Sequence, residues 1–371
     1  MRALLCVAAV AIALVACGGG ADTSRLGPAA APTATHVASP IASPFNLDDM
    51  MGLYATQTVF VADVEKISAI TLLNHFTRYT IPTNGKAQVA ADASSPFGSP
   101  TPSNAGGWLY VLDGIERGPL RLRTFDVSGI ERASRSDIGT VASTHRAIAL
   151  TIDGRVLVLK SDARHAWVDA YESLTLKPQG TVMEKAGCGD RILASGSRVA
   201  IVCLAASQIA VDTLRGSGTA QIDGPKDLGP LAGATMADDG TIYAVTADRR
   251  LAVVSPNATK LSPLPWPSEW TGTVLPDTIA AATGSSSIVL AQLADDGAWL
   301  RTFASNNVSQ RQSLRLAGRL EGAPQFGLLA LSPFAYFTSG GSVRHVEISS
   351  GMLETMTEVG QGATIVAVVN R

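Results

Sequence analysis

The sequence predicts an all-β fold, and its turn-rich composition and a repeated short apolar segment in its 371 residues indicate this. Glycine occurs 35 times and proline 19 times, which implies many turns and favours short strands over long helices. Hydrophobic residues make up 46% of the chain, enough apolar surface to build a substantial core. The 29 Lys and Arg against 31 Asp and Glu leave no basic excess, so we expect no nucleic-acid partner.

A short apolar run of strand type recurs seven times, at intervals of 43 to 50 residues. The runs occupy residues 59–62, 109–112, 156–159, 199–202, 242–245, 288–291 and 334–337. A second strand-like segment begins 8 to 11 residues after the start of each run. Several of these segments alternate polar and apolar residues, which is typical of strands with one buried face. Four-stranded units of about 40–50 residues characterise β-propellers, so the period predicts a seven-bladed β-propeller over residues 47–371.

Segments of small apolar residues precede the runs, for example at residues 147–150 and 279–282. We expect these segments to lie nearest a crowded central axis, where small side chains fit. Residues 364–369 have a similar character but no run follows them, whereas residues 46–56 make a poor inner strand. We therefore expect the C-terminal strand to pair with the N-terminal blade, which closes the ring and removes an exposed sheet edge.

The N-terminus has the features of an export signal. An apolar run over residues 3–16 follows Arg2 and ends at Cys17, and it is too short to span a bilayer as a stable helix. Residues 14–17 read Leu-Val-Ala-Cys, which resembles the lipobox of bacterial lipoproteins. The resemblance implies a signal peptide over residues 1–16 and acyl chains on Cys17, and two or three such chains hold a protein stably on a membrane. A plain secretory signal with an accidental cysteine is the alternative.

Residues 17–46 are dominated by Ala, Pro, Thr, Ser and Gly, a composition that predicts a flexible tether. Gly18 replaces the Asp that usually retains Gram-negative lipoproteins at the inner membrane. We therefore expect an extracytoplasmic, lipid-anchored protein in the cell envelope. Its membrane would be the outer one in a Gram-negative source, and otherwise the cell membrane.

The last unit, residues 343–363, resembles the YVTN-type repeat. It has alternating valines, a turn at Ser349-Ser350-Gly351, a second strand and a Val359-Gly360 step into the final strand. The sequence lacks the repeated Trp-Asp dipeptide of WD-repeat propellers and the glycine-tryptophan pattern of quinoprotein-like blades. The resemblance thus implies the fold but no functional residues, since a fold hosts many functions.

The sequence contains no familiar zinc spacing, nucleophile elbow or dinucleotide-binding loop, so we predict no catalytic residue, metal or cofactor. His75, His165 and His345 fall at different offsets of their units, and nothing in the pattern suggests that they converge. His145, at the entrance of an inner strand, is a candidate for the central funnel. Its alternative role is that of an exposed strand-end histidine.

Two mature cysteines other than Cys17 remain, Cys188 and Cys203. If Ser195-Gly196 forms a two-residue turn, these cysteines lie directly opposite each other across a hairpin. An exported protein allows the disulfide to form. Two separate buried thiols are the alternative.

The proline-stiffened loop 263–270 contains Trp266 and Trp270. It connects the outer strand of one predicted blade to the inner strand of the next. Two indole rings in a stiff loop offer contact area at low entropic cost, so we consider them a candidate partner-binding surface. Packing of both rings between blades is the alternative.

These observations predict a cell-envelope lipoprotein whose propeller is a non-catalytic binding or scaffold module for a protein partner. One alternative is an enzyme with a site in the central funnel, lactonase-like or quinoprotein-like. The missing cluster of histidines and carboxylates counts against it. A further alternative is a propeller that binds or senses a glycan or another small molecule.

Overall fold

The computed structural model describes residues 57–370 except 92–107, 116–118, 127, 137, 140–146, 152, 163, 214–218, 225–227, 284, 296, 306, 317–327 and 332. The predicted signal peptide (1–16), the predicted tether (17–46), Cys17 and His145 lie outside these residues. The described part of the chain consists of 28 strands joined by turns and loops. It contains no helix long and apolar enough to cross a membrane.

The strands are β1 (Gln57–Ala62), β2 (Lys66–Thr71), β3 (Thr77–Pro82), β4 (Gln88–Ala91), β5 (Leu109–Asp113), β6 (Arg121–Phe125), β7 (Glu131–Arg135), β8 (Ile148–Leu150), β9 (Arg155–Ser161), β10 (His165–Glu172), β11 (Pro178–Ala186), β12 (Arg191–Ser195), β13 (Arg198–Cys203) and β14 (Gln208–Asp212). The second half comprises β15 (Ala220–Asp223), β16 (Leu231–Met236), β17 (Ile242–Thr246), β18 (Leu251–Val254), β19 (Ser262–Leu264), β20 (Thr273–Thr283), β21 (Ser287–Ala294), β22 (Gly297–Ala304), β23 (Asn307–Arg315), β24 (Leu329–Leu331), β25 (Phe334–Ser339), β26 (Ser342–Glu347), β27 (Leu353–Glu358) and β28 (Thr364–Asn370).

The described strands assemble in groups of four hydrogen-bonded neighbours, which we number as sheets. Sheet 1 has the order β28-β1-β2-β3, and sheets 2 to 7 contain β4–β7, β8–β11, β12–β15, β16–β19, β20–β23 and β24–β27 in sequence order. Sheets 6 and 7 also join through parallel pairing of β20 with β24, at Ala282↔Ala330 and Thr283↔Leu331. These two groups therefore form one continuous eight-stranded sheet.

Each of the seven apolar runs forms the second strand of a sheet: β1, β5, β9, β13, β17, β21 and β25. The second-strand positions predicted from the repeat are thus confirmed. These strands are buried along most of their length, and five of them, β1, β5, β13, β17 and β25, are buried at every residue. Their apolar character is continuous because a neighbouring sheet covers each face, as in other strands buried on both sides.

The core consists of apolar layers between successive sheets. Phe60 and Ile81 of sheet 1 pack with Leu109 and Phe125 of sheet 2. The other face of sheet 1 packs against sheet 7 in a cluster that includes Val59, Ile70, Phe334, Tyr336 and Met356. Sheet 1 therefore buries both faces, each against a different neighbour.

The innermost strands contact one another in a closed cycle: β28 contacts β4, followed by β8, β12, β16, β20 and β24, and β24 contacts β28 again. The last strand, β28, pairs antiparallel with β1, with Val59 opposite Val368 and Phe60 opposite Ala367. The predicted pairing of the C-terminal strand with the N-terminal sheet is confirmed. It removes an open edge on β1, because unpaired strand edges are prone to pair with other chains.

Removal of β28 tests how far the fold depends on this pairing. Truncation after Gly362 exposes the edge of β1 and deletes the buried Ile365, Val368 and Val369. We expect loss of cooperative unfolding or aggregation, measured by circular dichroism during a urea titration and by size-exclusion chromatography. Removal of Arg371 alone, which follows β28, is the matched control. An unaltered cooperative transition in the longer truncation would contradict the role of β28 in closure.

Candidate functional site

A central cavity of about 650 Å³ lies where the inner strands meet. All seven innermost strands contribute to its wall, mostly through small or aliphatic side chains. Examples are Ala90, Ala149, Ala194, Ala281 and Val366. The small residues expected along the axis are therefore present, and their size leaves this space open.

The described cavity wall carries three charged side chains: Lys86, Arg191 and Asp277. The Arg191 side chain is 1% exposed and forms an ion pair with the Asp277 carboxylate, whose side chain is 28% exposed. Arg191 Nη1 also donates a hydrogen bond to the Ala234 carbonyl at 2.8 Å. Arg191 belongs to sheet 4, Ala234 to sheet 5 and Asp277 to sheet 6, so one guanidinium links three successive sheets.

A local irregularity of β20 positions the carboxylate. The pairing of β20 with β21 shifts register between Val274 and Ile279, and Asp277 within this bulge has a φ of 59°. Non-glycine residues seldom adopt this left-handed region, although Asp does so more often than most. Bulges redirect side chains out of the regular pleat, and here the redirected side chain faces Arg191.

Polar side chains of the cavity wall also bind the backbone of the next inner strand. The Gln88 side-chain oxygen accepts a hydrogen bond from the Ala147 amide, and Thr235 Oγ1 accepts one from the Ala281 amide at 2.9 Å. Each bond joins two neighbouring sheets. The wall is thus held by apolar packing and by a small number of directed hydrogen bonds.

The structure buries Trp270 instead of presenting it to a partner. Its ring is 1% exposed and belongs to a core cluster with Tyr243 and Phe303. Trp266 is half-buried against that cluster, and its Nε1 donates to the Trp270 carbonyl at 2.9 Å. The rings lie edge to face with centroids 5.7 Å apart. Burial of Trp270 in the interior between sheets 5 and 6 favours the alternative of packing between blades over a contact surface formed by both rings.

Cys188 and Cys203 form a disulfide with a Cα–Cα distance of 5.4 Å, within the usual range of about 4.4–6.8 Å. The register behind that prediction needs correction. Ser195 pairs with Arg198, so the turn is Gly196-Ser197 and not Ser195-Gly196. This shift places Cys188 in the segment before β12 and not directly opposite Cys203.

The structure also corrects the expectation that the histidines do not converge. His75, His345 and Glu354 each offer a ligand atom, and these three atoms lie within 4.8 Å of one another. Burial lowers the pKa of His345, the Glu354 carboxylate opposes this shift, and His75 adds to it. His165, by contrast, is exposed on β10. No sequence pattern indicates that His75 and His345 are close in space, because they lie 270 residues apart in the chain.

No protein-family model matches the sequence, and no curated protein matches it either. Among solved structures, the chain is similar to the periplasmic gluconolactonase PpgL of Pseudomonas aeruginosa, with 16% identity and a TM-score of 0.58 over 84% of this chain and 98% of that one. It is also similar to apo AztD from Citrobacter koseri, with 12% identity and a TM-score of 0.51 over 85% of this chain and 97% of that one. The chain has a β-propeller-like fold. At these identities the similarity extends to the fold alone.

Truncation of Trp270 measures its contribution to the core. Trp270→Ala should lower the free energy of unfolding by about 3–5 kcal/mol, because it leaves a cavity beside Phe303. Trp266→Ala is the matched control and should cost less, since that ring is only half-buried. Urea titrations of both variants give the comparison. Equal and negligible losses would contradict the buried position of Trp270.

Proposed function

We propose that this protein is a seven-bladed β-propeller of the cell envelope that binds a small polar molecule in its central cavity. The seven four-stranded groups and the closed cycle of inner strands support the blade number. The observation that carries the function is the Arg191–Asp277 pair on the wall of the cavity.

The size and lining of the cavity support a small ligand. Ligand pockets usually measure about 300–1,000 Å³ and combine an apolar lining with a few placed polar groups. The cavity of about 650 Å³ fits that description. Lys86 supplies hydrogen-bond donors, and Asp277, which the buried Arg191 orients, supplies an acceptor, a combination that suits a molecule bearing hydroxyl and carboxylate groups.

Binding of a protein partner has less support. Its residue-level basis was the tryptophan loop, and Trp270 is buried in the core. The small-molecule alternative instead rests on a cavity to which every inner strand contributes. The partner is therefore proposed to be a small molecule, with the membrane contacted only through the N-terminal lipid.

Hydrolysis of a lactone is the second candidate function, favoured by the structural similarity to a periplasmic gluconolactonase. Asp277 supplies the one carboxylate on the described cavity wall, and a carboxylate can accept a proton from an attacking water. The water oxygen would bond to the lactone carbonyl carbon, and the ring C–O bond would break. The proton would pass to the released oxygen, giving the hydroxy acid. The Arg191 guanidinium would hold the Asp277 carboxylate in position for this step.

A filled cavity tests both candidates. D-gluconate is the probe for binding, measured by calorimetry, and D-glucono-1,5-lactone is the probe for hydrolysis, measured by acid release. Ala281 lines the cavity, and Ala281→Trp should weaken binding by about tenfold or more because the indole occupies the ligand space. Ala220→Trp, on the exposed strand β15, is the matched control.

The two functions give different results with these probes. Binding of gluconate without acceleration of lactone opening supports the binding function, and acceleration that Ala281→Trp abolishes supports the lactonase. Melting temperatures of both tryptophan variants show whether the fold is retained. Absence of both binding and hydrolysis in the unsubstituted protein would contradict the proposed ligand class.

We also propose that acyl chains on Cys17 anchor the protein on the extracytoplasmic side. The lipobox resemblance supports this location, and one structural neighbour is itself described as periplasmic. The membrane would be the outer one in a Gram-negative source, since Gly18 replaces the Asp of inner-membrane retention.

Replacement of Cys17 tests the anchor. Cys17→Ser removes the thiol that accepts the lipid, so we expect the protein to move from the membrane fraction to the soluble fraction. Cys6→Ser, within the proposed signal peptide, is the matched control and should not change the partitioning. Immunoblots of fractionated cells give the distribution. Membrane partitioning that persists in Cys17→Ser would contradict the lipid anchor.

A further inference from the structure

Two histidines and a glutamate meet where the last sheet packs against the first. His75 lies in the turn between β2 and β3 of sheet 1, whereas His345 on β26 and Glu354 on β27 belong to sheet 7. We call these three residues the seam cluster. Their ligand atoms lie within 4.8 Å of one another, and His345 Nε2 lies 3.1 Å from Glu354 Oε2.

The strand register explains how sheet 7 places its two members. His345 and Glu354 are directly paired across β26 and β27, so their side chains share one face of the sheet. The rings of Phe334 and Tyr336 lie beside the imidazole, with centroids 5.3 and 6.0 Å from its own. These contacts bury His345 to 1% exposure, whereas the Glu354 side chain is 41% exposed. Packing therefore holds the His345 imidazole rigidly, and the Glu354 carboxylate stays accessible from solvent.

The backbone of a repeated turn places His75. Its amide donates to the Thr71 carbonyl and it has a φ of 57°. The same hydrogen-bond pattern recurs in the turns 172–177 and 347–352, where Leu176 and Gly351 occupy the corresponding left-handed position. The conformation of His75 thus follows from the turn. A glycine is compatible with this position, as Gly351 shows.

We propose that the seam cluster binds one divalent transition-metal ion, with zinc as the ion that its ligands suit best. Zinc takes imidazole nitrogens and carboxylate oxygens in tetrahedral sites, and two histidines with one glutamate leave a fourth position for water. Tetrahedral ligands bonded at about 2.0–2.1 Å lie about 3.3 Å apart. The His345–Glu354 pair already has this spacing, and the longest separation in the cluster needs a contraction of at most about 1.5 Å.

Such an ion would crosslink the two sheets between which the ring closes. It would join the first and last sheets through residues 270 positions apart in the chain. Separation of these sheets would break the site, so binding favours the closed form by mass action. This role is distinct from the central cavity, because no member of the cluster lines that cavity.

Zinc titration of the untagged, full-length protein tests the proposal. The protein is first treated with a chelator and kept without reductant. The disulfide then keeps Cys188 and Cys203 from forming a competing site with Asp190. We expect one zinc ion per chain by calorimetry, and a melting temperature raised by roughly 5–10 °C at a thousandfold excess over Kd. Cobalt should give the visible absorption of a four-coordinate ion.

Two substitutions test the ligands, and a third is the control. His75→Gly removes one imidazole at a position where glycine is conformationally acceptable, and Glu354→Gln removes the charge with little change of shape. Each should weaken zinc binding by about 100-fold or more, given that loss of even a supporting residue costs about 10–100-fold. His165→Ala, which removes an exposed histidine outside the cluster, is the matched control and should leave binding unchanged.

The outcomes separate the cluster from other sites on the chain. Without zinc, His75→Gly and Glu354→Gln should have melting temperatures close to that of the unsubstituted protein. Loss of the zinc-induced rise in melting temperature in both variants supports the proposed metal site. Unchanged zinc affinity in both variants would overturn the proposal, as would zinc uptake well below one ion per chain. Binding that appears only after reduction of the disulfide would assign the metal to Cys188 and Cys203, and would also overturn it.

Discussion

The fold depends on bringing seven inner strands together around one axis. Most side chains on the inner strands must be small enough for the strands to approach one another, and the backbone groups on the inner edge of each strand still require partners. Small residues meet the first requirement. Side chains that reach the neighbouring sheet help to meet the second, as when Thr235 binds the Ala281 amide and Arg191 binds the Ala234 carbonyl. The same residues thus close the ring and leave a cavity at its centre.

The arrangement also requires the ring of sheets to close. A ring of sheets has a junction where the chain's first and last parts must meet, and β28 crosses it by entering sheet 1 beside β1. Apolar side chains of sheets 1 and 7 also pack against each other at this junction. The seam cluster lies at the same junction, so backbone pairing, apolar packing and the histidine–glutamate cluster all act between the two ends of the chain.

The cavity and the seam cluster differ in their physical chemistry. In the cavity, a buried guanidinium faces a carboxylate among small aliphatic side chains, which suits recognition of a polar organic molecule. At the seam, imidazoles and a carboxylate converge beside aromatic rings, which suits an ion. Each site is assembled from more than one sheet. The relative position of the sheets therefore controls both, and the stability of the ring and the integrity of the sites are coupled.

The β content, the strand positions and the pairing of the C-terminal strand with the first sheet could all be predicted from the sequence. These features follow from local periodicity and from the need to cover strand edges, both of which are visible along the chain. Other contacts follow only from the packing of the sheets: the Arg191–Asp277 ion pair, the burial of Trp270, the proximity of His75 to His345, and the position of Cys188 outside the expected register. A bulge, a turn shifted by one residue and the packing of sheets distant in sequence produce those contacts. No sequence periodicity predicts these contacts, because contacts between side chains of different sheets depend on how the sheets are arranged in three dimensions.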